Sequence, residues 1–277
     1  MPEPSDRRGS LVVVGSSIRT FGQLTVESIA QIRAADRVLT LVSDPIAAAV
    51  VARLNPGRDE SLVRFYAPNR PRNDTYRAMA ERTLECVRSG LRTCLVAYGH
   101  PGVFASPAHE AVRRARAEGF AARMLPAVSA EDCLFADLGI DPATTGCVSL
   151  EATDYLWCRY RIDPAFLLIL WQVGVIGVDD KPAGQGERFG LPLLVERLAE
   201  AYPPDHPVTL YQASLLPNRD HFALTVPLRD LPGAEFPGMA TLCVPPCGGR
   251  DYDHSMVERL RAARDLARAG PIVPPAG

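Results

Sequence analysis

A chain of 277 residues with 47% hydrophobic content is long enough to bury more than one core, and two lobes are the natural expectation. Its 30 basic and 32 acidic residues nearly cancel, which excludes a global field favouring nucleic acid or an anionic membrane surface, and no stretch approaches the ~20 apolar residues of a membrane span. The seven cysteines are odd in number and mostly sit inside apolar runs, so they read as buried thiols of a cytoplasmic protein; Cys243 and Cys247 lack a matching Cys/His pair, and no metal is expected.

In chain order, residues 1–9 carry charge without an apolar stretch and read as a flexible tail. Leu11 to Val14 is a β-branched run halted by Gly15, followed by an amphipathic helix expected over Gln23 to Ala35. Arg37 to Val42 suggests a strand and Pro45 to Leu54 a helix; a longer helix is expected from Asp74 to Ser89. The next strand, Thr93 to Tyr98, runs into a glycine-proline loop. Beyond that loop a helix is expected over Pro107 to Glu118, a strand over Ala121 to Leu125 and a helix over Ser129 to Leu138. Alternating strands and helices predict an α/β lobe over residues 10–142 with a mostly parallel sheet. Turn formers from Gly139 to Gly146 mark the boundary with a second α/β lobe over residues 146–247. Its strands are expected at Val148–Glu151, Phe166–Val173, Val208–Gln212, Phe222–Val226 and Ala240–Val244, with one helix over Leu191–Ala201. Turns rather than long helices separate the later strands, which predicts a mixed sheet. Residues 251–277 read as an amphipathic helix, Asp253 to Ala269, and a proline-rich tail.

Four segments could carry chemistry. Tyr98-Gly99-His100-Pro101-Gly102-Val103-Phe104 follows a parallel strand at the sheet edge where open α/β folds put their ligands, and its glycines and proline can present backbone groups to a small molecule. His100 there is equally readable as a satisfied loop histidine. Arg72 and Tyr76 are four residues apart and can share one helix face, where a guanidinium and a phenol could hold an oxyanion and relay a proton; from spacing alone, a solvated loop with a capped helix start is the favoured reading. Ser129 is a plausible helix cap, and Gln172, ending a hydrophobic strand, either faces a ligand or finds a partner inside the fold.

Taken in order, GSLVVVG with GQLT, RPRNDTY (Arg70–Tyr76), YGHPGVF (Tyr98–Phe104), ARMLPAVSAEDCLFADLGIDP (Ala122–Pro142), WQVGVIG (Trp171–Gly177) and HPV-LYQA (His206–Ala213) resemble the borosin peptide α-N-methyltransferases, a branch of the tetrapyrrole-methylase superfamily. The resemblance runs from about residue 9 to 247. It implies the two-lobed tetrapyrrole-methylase fold and a homodimer that binds S-adenosylmethionine between the lobes. The activity implied is successive methylation of backbone nitrogens in a ribosomally made peptide, releasing S-adenosylhomocysteine. Carried over by position, Arg72, Tyr76 and Tyr98 are the catalytic candidates, with Tyr66 lining the same pocket. Tyr98, His100, Val103, Phe104, Ser129, Ala130, Gln172, Tyr211, Ala213 and Thr241 form the implied cofactor site. Ser17 and Ala127 stand where relatives often have glycine.

Fused members of that family carry their own substrate after a helical clasp. Here one helix and a short tail follow Pro246, which leads to the expectation of a split system with a separate precursor peptide bearing its own binding segment. The competing expectations are a tetrapyrrole or corrin methyltransferase of the same superfamily and a non-catalytic S-adenosylmethionine-binding scaffold.

Overall fold

The computed structural model describes residues 8–42, 44–67, 70–178, 188–249 and 251–269. Five strands, β1 (Ser10–Gly15), β2 (Arg37–Leu41), β3 (Asp59–Ser61), β4 (Arg92–Ala97) and β5 (Ala121–Met124), form a first sheet in the order β3-β2-β4-β1-β5. Every pairing is parallel. Parallel neighbours need crossovers, supplied by α1 (Thr20–Gln23), α2 (Val26–Ala34), α3 (Pro45–Leu54), α4 (Arg72–Arg88) and α5 (Ser106–Ala117). The unbroken apolar run of β1 has a simple cause. Leu11 and Val13 face a core shared with Met79 and Leu84 of α4 and Ala111 of α5, while Val14 faces Ile32 of α2 and Val51 of α3. A strand covered on both sides has no face to give to polar residues.

The second sheet comprises β6 (Cys147–Glu151), β7 (Leu167–Trp171), β8 (Pro207–Gln212), β9 (Phe222–Pro227) and β10 (Thr241–Val244), ordered β6-β7-β10-β8-β9. Only β6 and β7 are parallel, and the mixed sheet expected from the sequence is what forms. One face, with Leu168, Leu170, Leu210 and Leu242, packs on Leu194 and Leu198 of α8 (Leu191–Leu198). The other face presents Ile169, Trp171, Tyr211 and Cys243 to Ile18, Cys133 and Leu134, the last two on α6 (Ala130–Leu138). This shared core joins the two sheets, and each fully buried aliphatic side chain in it contributes about 1.5–3 kcal/mol.

Several expected boundaries shift, each for a local reason. The helix expected over Gln23 to Ala35 begins only at Val26, as α2, because Thr25 adopts extended backbone and caps it, accepting the Ser28 N–H at 3.0 Å, while Gln23 instead ends α1. The helix expected from Asp74 begins at Arg72 behind the fixed φ of Pro71. β3 and α7 (Ala152–Trp157) were not expected; β3 is a three-residue polar edge strand, and α7 starts directly at the end of β6, where Glu151 caps it. α9 (His254–Ala269) is exposed over nearly all of its length. Gly9 packs against the Val87 carbonyl; residues 1–7 and 270–277 of the expected tails lie outside the described residues, as do Pro68 and Asn69.

Candidate functional site

The loops leaving β1, β4 and β5 converge at the carboxyl edge of the parallel sheet. Gly15 is where they meet: a Cβ there would lie 2.1 Å from the Gly99 carbonyl oxygen and 2.5 Å from Ala127 Cβ, so a side chain would force the loops apart. Ser17 and Gly99 form an isolated antiparallel bridge, with N–H to carbonyl distances of 3.1 and 3.3 Å. Ser17 is itself left-handed, at φ 58°, a backbone conformation that glycine adopts with less strain. Its buried hydroxyl donates to the Gln23 carbonyl at 2.9 Å and accepts the Val128 N–H at 3.2 Å, tying all three loops together.

Among the described residues, three non-glycine positions have positive φ: Ser17, Phe104 (51°) and Gln172 (61°). Phe104 and Gln172 lie beside Trp171 of β7, whereas Ser17 is fully buried among the converging loops. Strained backbone of this kind costs about 1–3 kcal/mol per residue and concentrates at ligand sites. The Phe104 ring, 52% exposed, rests 5.8 Å from that of Trp171, whose indole N–H donates to Ser149 Oγ at 2.7 Å. Val103 is also exposed, and the Gln172 amide has no hydrogen-bond partner among the described residues. An apolar ring wall, free backbone groups and one unpaired amide suit a flat heteroaromatic ligand with polar edges.

Other predicted cofactor residues have specific structural tasks. His100 Nδ1 accepts the Gly102 N–H at 2.9 Å, which holds the turn and fixes the ring proton on Nε2 when the imidazole is neutral. Ser129 forms a capping box with Asp132: its N–H and hydroxyl donate to the carboxylate, each at 2.7 Å, and its Oγ accepts the Asp132 N–H at 3.1 Å. Ala130, Tyr211 and Ala213 belong to the inter-sheet core, and Thr241 is the register partner of Tyr211. The Tyr211 hydroxyl donates to Asp137 at 2.7 Å, linking β8 to α6; burial first, then this bond, pushes its acidity far down. Asp137 also faces Arg19 at 3.8 Å and His221 at 3.7 Å. Neither Asp137 nor this cluster was singled out from the sequence.

Arg72, Tyr66 and Tyr76 come together. The rings of Tyr66 and Tyr76 meet edge-on with centroids 6.5 Å apart. Burial, then the charge and hydrogen bond of Tyr76, push the Tyr66 hydroxyl above its ordinary pKa, against a smaller downward pull from the Arg72 charge. Arg72 makes no ion pair or hydrogen bond among the described residues, although it occupies the first residue of α4, where the helix dipole opposes a cation. By contrast Arg82, Arg88 and Arg114 are all paired with carboxylates. Tyr98 stands apart from this trio: no hydrogen bond or ring contact among the described residues joins them. Its hydroxyl is pushed up to about 12, first by burial and then by the nearby charges of Cys133 and Asp44.

An open surface groove of about 570 Å³, lined by Asn73, Arg77, Glu110 and Arg113 among others, lies beside Tyr76 between α4 and α5. His109 on α5 lines it and reaches back to the Tyr98–Phe104 loop, its Nε2 lying 3.0 Å from the Gly102 carbonyl oxygen. This histidine was also missed; the available signal was a polar residue in the first turn of the helix that follows a glycine loop. No group of three His, Cys, Asp or Glu among the described residues could hold a metal, and no helix there is long and apolar enough to cross a membrane.

The family model for tetrapyrrole (corrin/porphyrin) methylases matches residues 10–228. The chain belongs to that family. It is 40% identical over 256 residues to the methyltransferase/precursor of the ribosomally synthesized cyclic peptide dendrothelin A from Dendrothele bispora, covering 91% of this chain and 61% of that protein. It is also 38% identical to a type I borosin cyclic peptide methyltransferase/precursor from Serendipita vermifera subsp. bescii, covering 97% of this chain and 66% of that protein. This tetrapyrrole methylase thus spans about three fifths to two thirds of the length of these curated relatives. Among solved structures, uroporphyrin-III-C-methyltransferase from Thermus thermophilus matches with TM-score 0.62 at 22% identity, covering 86% of this chain and 93% of that one. The same enzyme in complex with S-adenosylhomocysteine matches with TM-score 0.57 at 16% identity, covering 86% of this chain and 92% of that one, so the likeness concerns the fold.

Proposed function

We propose that this protein is an S-adenosylmethionine-dependent methyltransferase that methylates successive backbone nitrogens of a ribosomally made peptide. The observation that carries the reading is the unpaired Arg72 beside the Tyr66–Tyr76 pair, next to a loop able to hold the methyl donor. S-adenosylmethionine would lie along Val103, Phe104 and Gln172, where it supplies an electrophilic methyl group on a sulfonium.

An amide nitrogen is a poor nucleophile until charge shifts to its oxygen. Arg72 stabilises that charge; the first-turn carboxylate of its helix, Asp74, is paired with Arg77 and leaves it available for the task. Tyr76 is assigned the amide proton, and Tyr66, held neutral by burial, packs edge-on against its ring with centroids 6.5 Å apart. The Tyr98 phenol, protonated throughout the physiological range, orients the amide from the cofactor side. The names of the Dendrothele bispora and Serendipita vermifera relatives, which join a methyltransferase to a cyclic peptide precursor, support the peptide as substrate.

The expected homodimer belongs to this reading. Supporting it are Trp157, Phe189 and Leu193, which line one apolar hollow of about 380 Å³ on the second lobe, and the exposed helix α9.

The deciding experiment incubates the protein with S-adenosylmethionine and peptides taken from the part of the Dendrothele bispora protein outside the shared region. Single-methyl mass steps on backbone nitrogens are expected, with sedimentation reporting a dimer. Methylation of the peptide added in trans supports a separate precursor; methylation of Ile272 or Val273 of this chain overturns that arrangement. Turnover of a porphyrinoid with no mass change in any peptide selects the tetrapyrrole reading, and cofactor binding without turnover selects the scaffold.

A further inference from the structure

Methyl transfer from a sulfonium to a neutral amide releases one proton per turnover, and neither tyrosine of the pair can keep it. A phenol that accepts the amide proton must surrender its own. The surroundings of Tyr76 offer one route outward. The solvent-filled groove beside it has room for several water molecules, and its other wall is α5.

The charged groups around that groove are mostly engaged with one another. From α4, Arg77 pairs with Asp74 at 3.3 Å; from α5, Arg113 holds Glu110 in a bidentate contact at 2.7 and 2.8 Å. His109 differs. The Gly102 carbonyl can only accept, so the ring hydrogen lies on Nε2, and in neutral imidazole Nδ1 carries a lone pair. Nδ1 has no partner among the described residues, and the side chain is open to solvent. One ring therefore touches the cofactor loop through Nε2 and keeps a basic nitrogen on the residue that shares a groove with Tyr76.

We propose that His109 is the proton outlet of the site: a positioning residue that takes the released proton from Tyr76 through groove water and returns it to solvent. This rests on the peptide N-methylation reading. As the nitrogen lone pair forms the N–C bond, the S–C bond breaks with its electrons passing to sulfur. The amide proton moves to Tyr76 Oη while the phenol's own proton passes by water to His109 Nδ1. The sum is sulfonium plus amide N–H giving thioether, N-methylamide and imidazolium, which solvent then deprotonates. Because Nε2–H also holds the Gly102 carbonyl, proton acceptance leaves the cofactor loop undisturbed.

The test compares wild type, His109→Gln and His109→Ala in single turnovers across a pH series, using the Dendrothele bispora-derived peptides, with S-adenosylhomocysteine affinity measured by calorimetry. Glutamine can donate to the Gly102 carbonyl but cannot accept the proton. H109Q should therefore bind S-adenosylhomocysteine as wild type does, lose on the order of 10²-fold in rate at neutral pH and recover as hydroxide takes over in alkaline buffer. Added imidazole should restore H109A. An H109Q pH profile that matches wild type overturns the proposal, and so does a loss that is equal at every pH and accompanied by weakened S-adenosylhomocysteine binding. A wild-type protein that methylates no peptide sinks the underlying reading instead, and the two failures are distinct.

Discussion

The two sheets have five strands each but divide the work unequally. The parallel sheet sends three loops to one edge, and from that edge and its helices come Arg72, Tyr76, Tyr98 and His109, the groups with charge or an exchangeable proton. The mixed sheet contributes a buried face, an aromatic ring and a strained amide residue. Parallel topology gathers loops at one end because every strand leaves the sheet in the same direction. Antiparallel hairpins alternate ends and leave a smooth wall. On the proposed assignment, chemistry and shape are encoded in different halves of the chain.

The sharpest way to break this division is at Arg72. Arg72→Ala should lower the methylation rate by about 10²–10³-fold with S-adenosylhomocysteine affinity retained, as read by single-turnover kinetics and calorimetry. Comparable loss of binding would mean that the guanidinium belongs to the cofactor. Gly15→Ala should act through the loops: with only 2.1 Å to the Gly99 oxygen, the new methyl costs about 1–3 kcal/mol and should lower both the melting temperature and cofactor affinity. Trp171→Ala removes the Phe104 contact and the Ser149 hydrogen bond and should weaken S-adenosylhomocysteine binding by about 10-fold, equivalent to 1.4 kcal/mol. The rate at saturating cofactor should change little; a large fall would show that the second sheet enters the chemistry.

The smallest effect concerns acid. Glu60 is held below the ordinary 4.5 chiefly by its hydrogen bond to Arg82, Glu81 by those to Arg88 and Arg114, and Glu118 by that to Arg88. All three lie in the first lobe. Lowered carboxylate values add stability above pH 4.5 that disappears as pH falls through the folded-state values, so the first lobe should loosen first. Both tryptophans, Trp157 and Trp171, lie in the second lobe. Acid titration should therefore reduce far-ultraviolet circular dichroism before tryptophan fluorescence responds, and simultaneous changes would indicate one cooperative unit.

Much of the first sheet was legible because Val12 to Val14 and Leu95 to Ala97 are unbroken apolar runs, the mark of strands covered on both faces. The Tyr98–Phe104 loop was legible from its glycines and its place after a strand. β3 was not, since Asp59 to Ser61 has neither length nor alternation. The Arg72–Tyr76 spacing suggested a shared face, but Tyr66 reaches them from a short 3-10 turn over Leu62–Phe65 and the segment after it, which carry no periodic signal. The Tyr211–Asp137 bond joins residues 74 apart in sequence, a distance over which no local pattern speaks.

Ser17, Phe104 and Gln172 carry a consequence for the way this chain responds to selection. Glycine would adopt each of their backbone angles with less strain. Phe104→Gly or Gln172→Gly would ease the local backbone while removing the ring or the amide from the cleft. On the proposed cofactor assignment, heat resistance and tight holding of the methyl donor therefore pull Phe104 and Gln172 in opposite directions. Glycine at position 17, by contrast, would forfeit the hydroxyl's bonds to Gln23 and Val128. Libraries screened only for a higher melting temperature should accumulate glycine at positions 104 and 172, and the variants recovered should be stable proteins with a slack cleft.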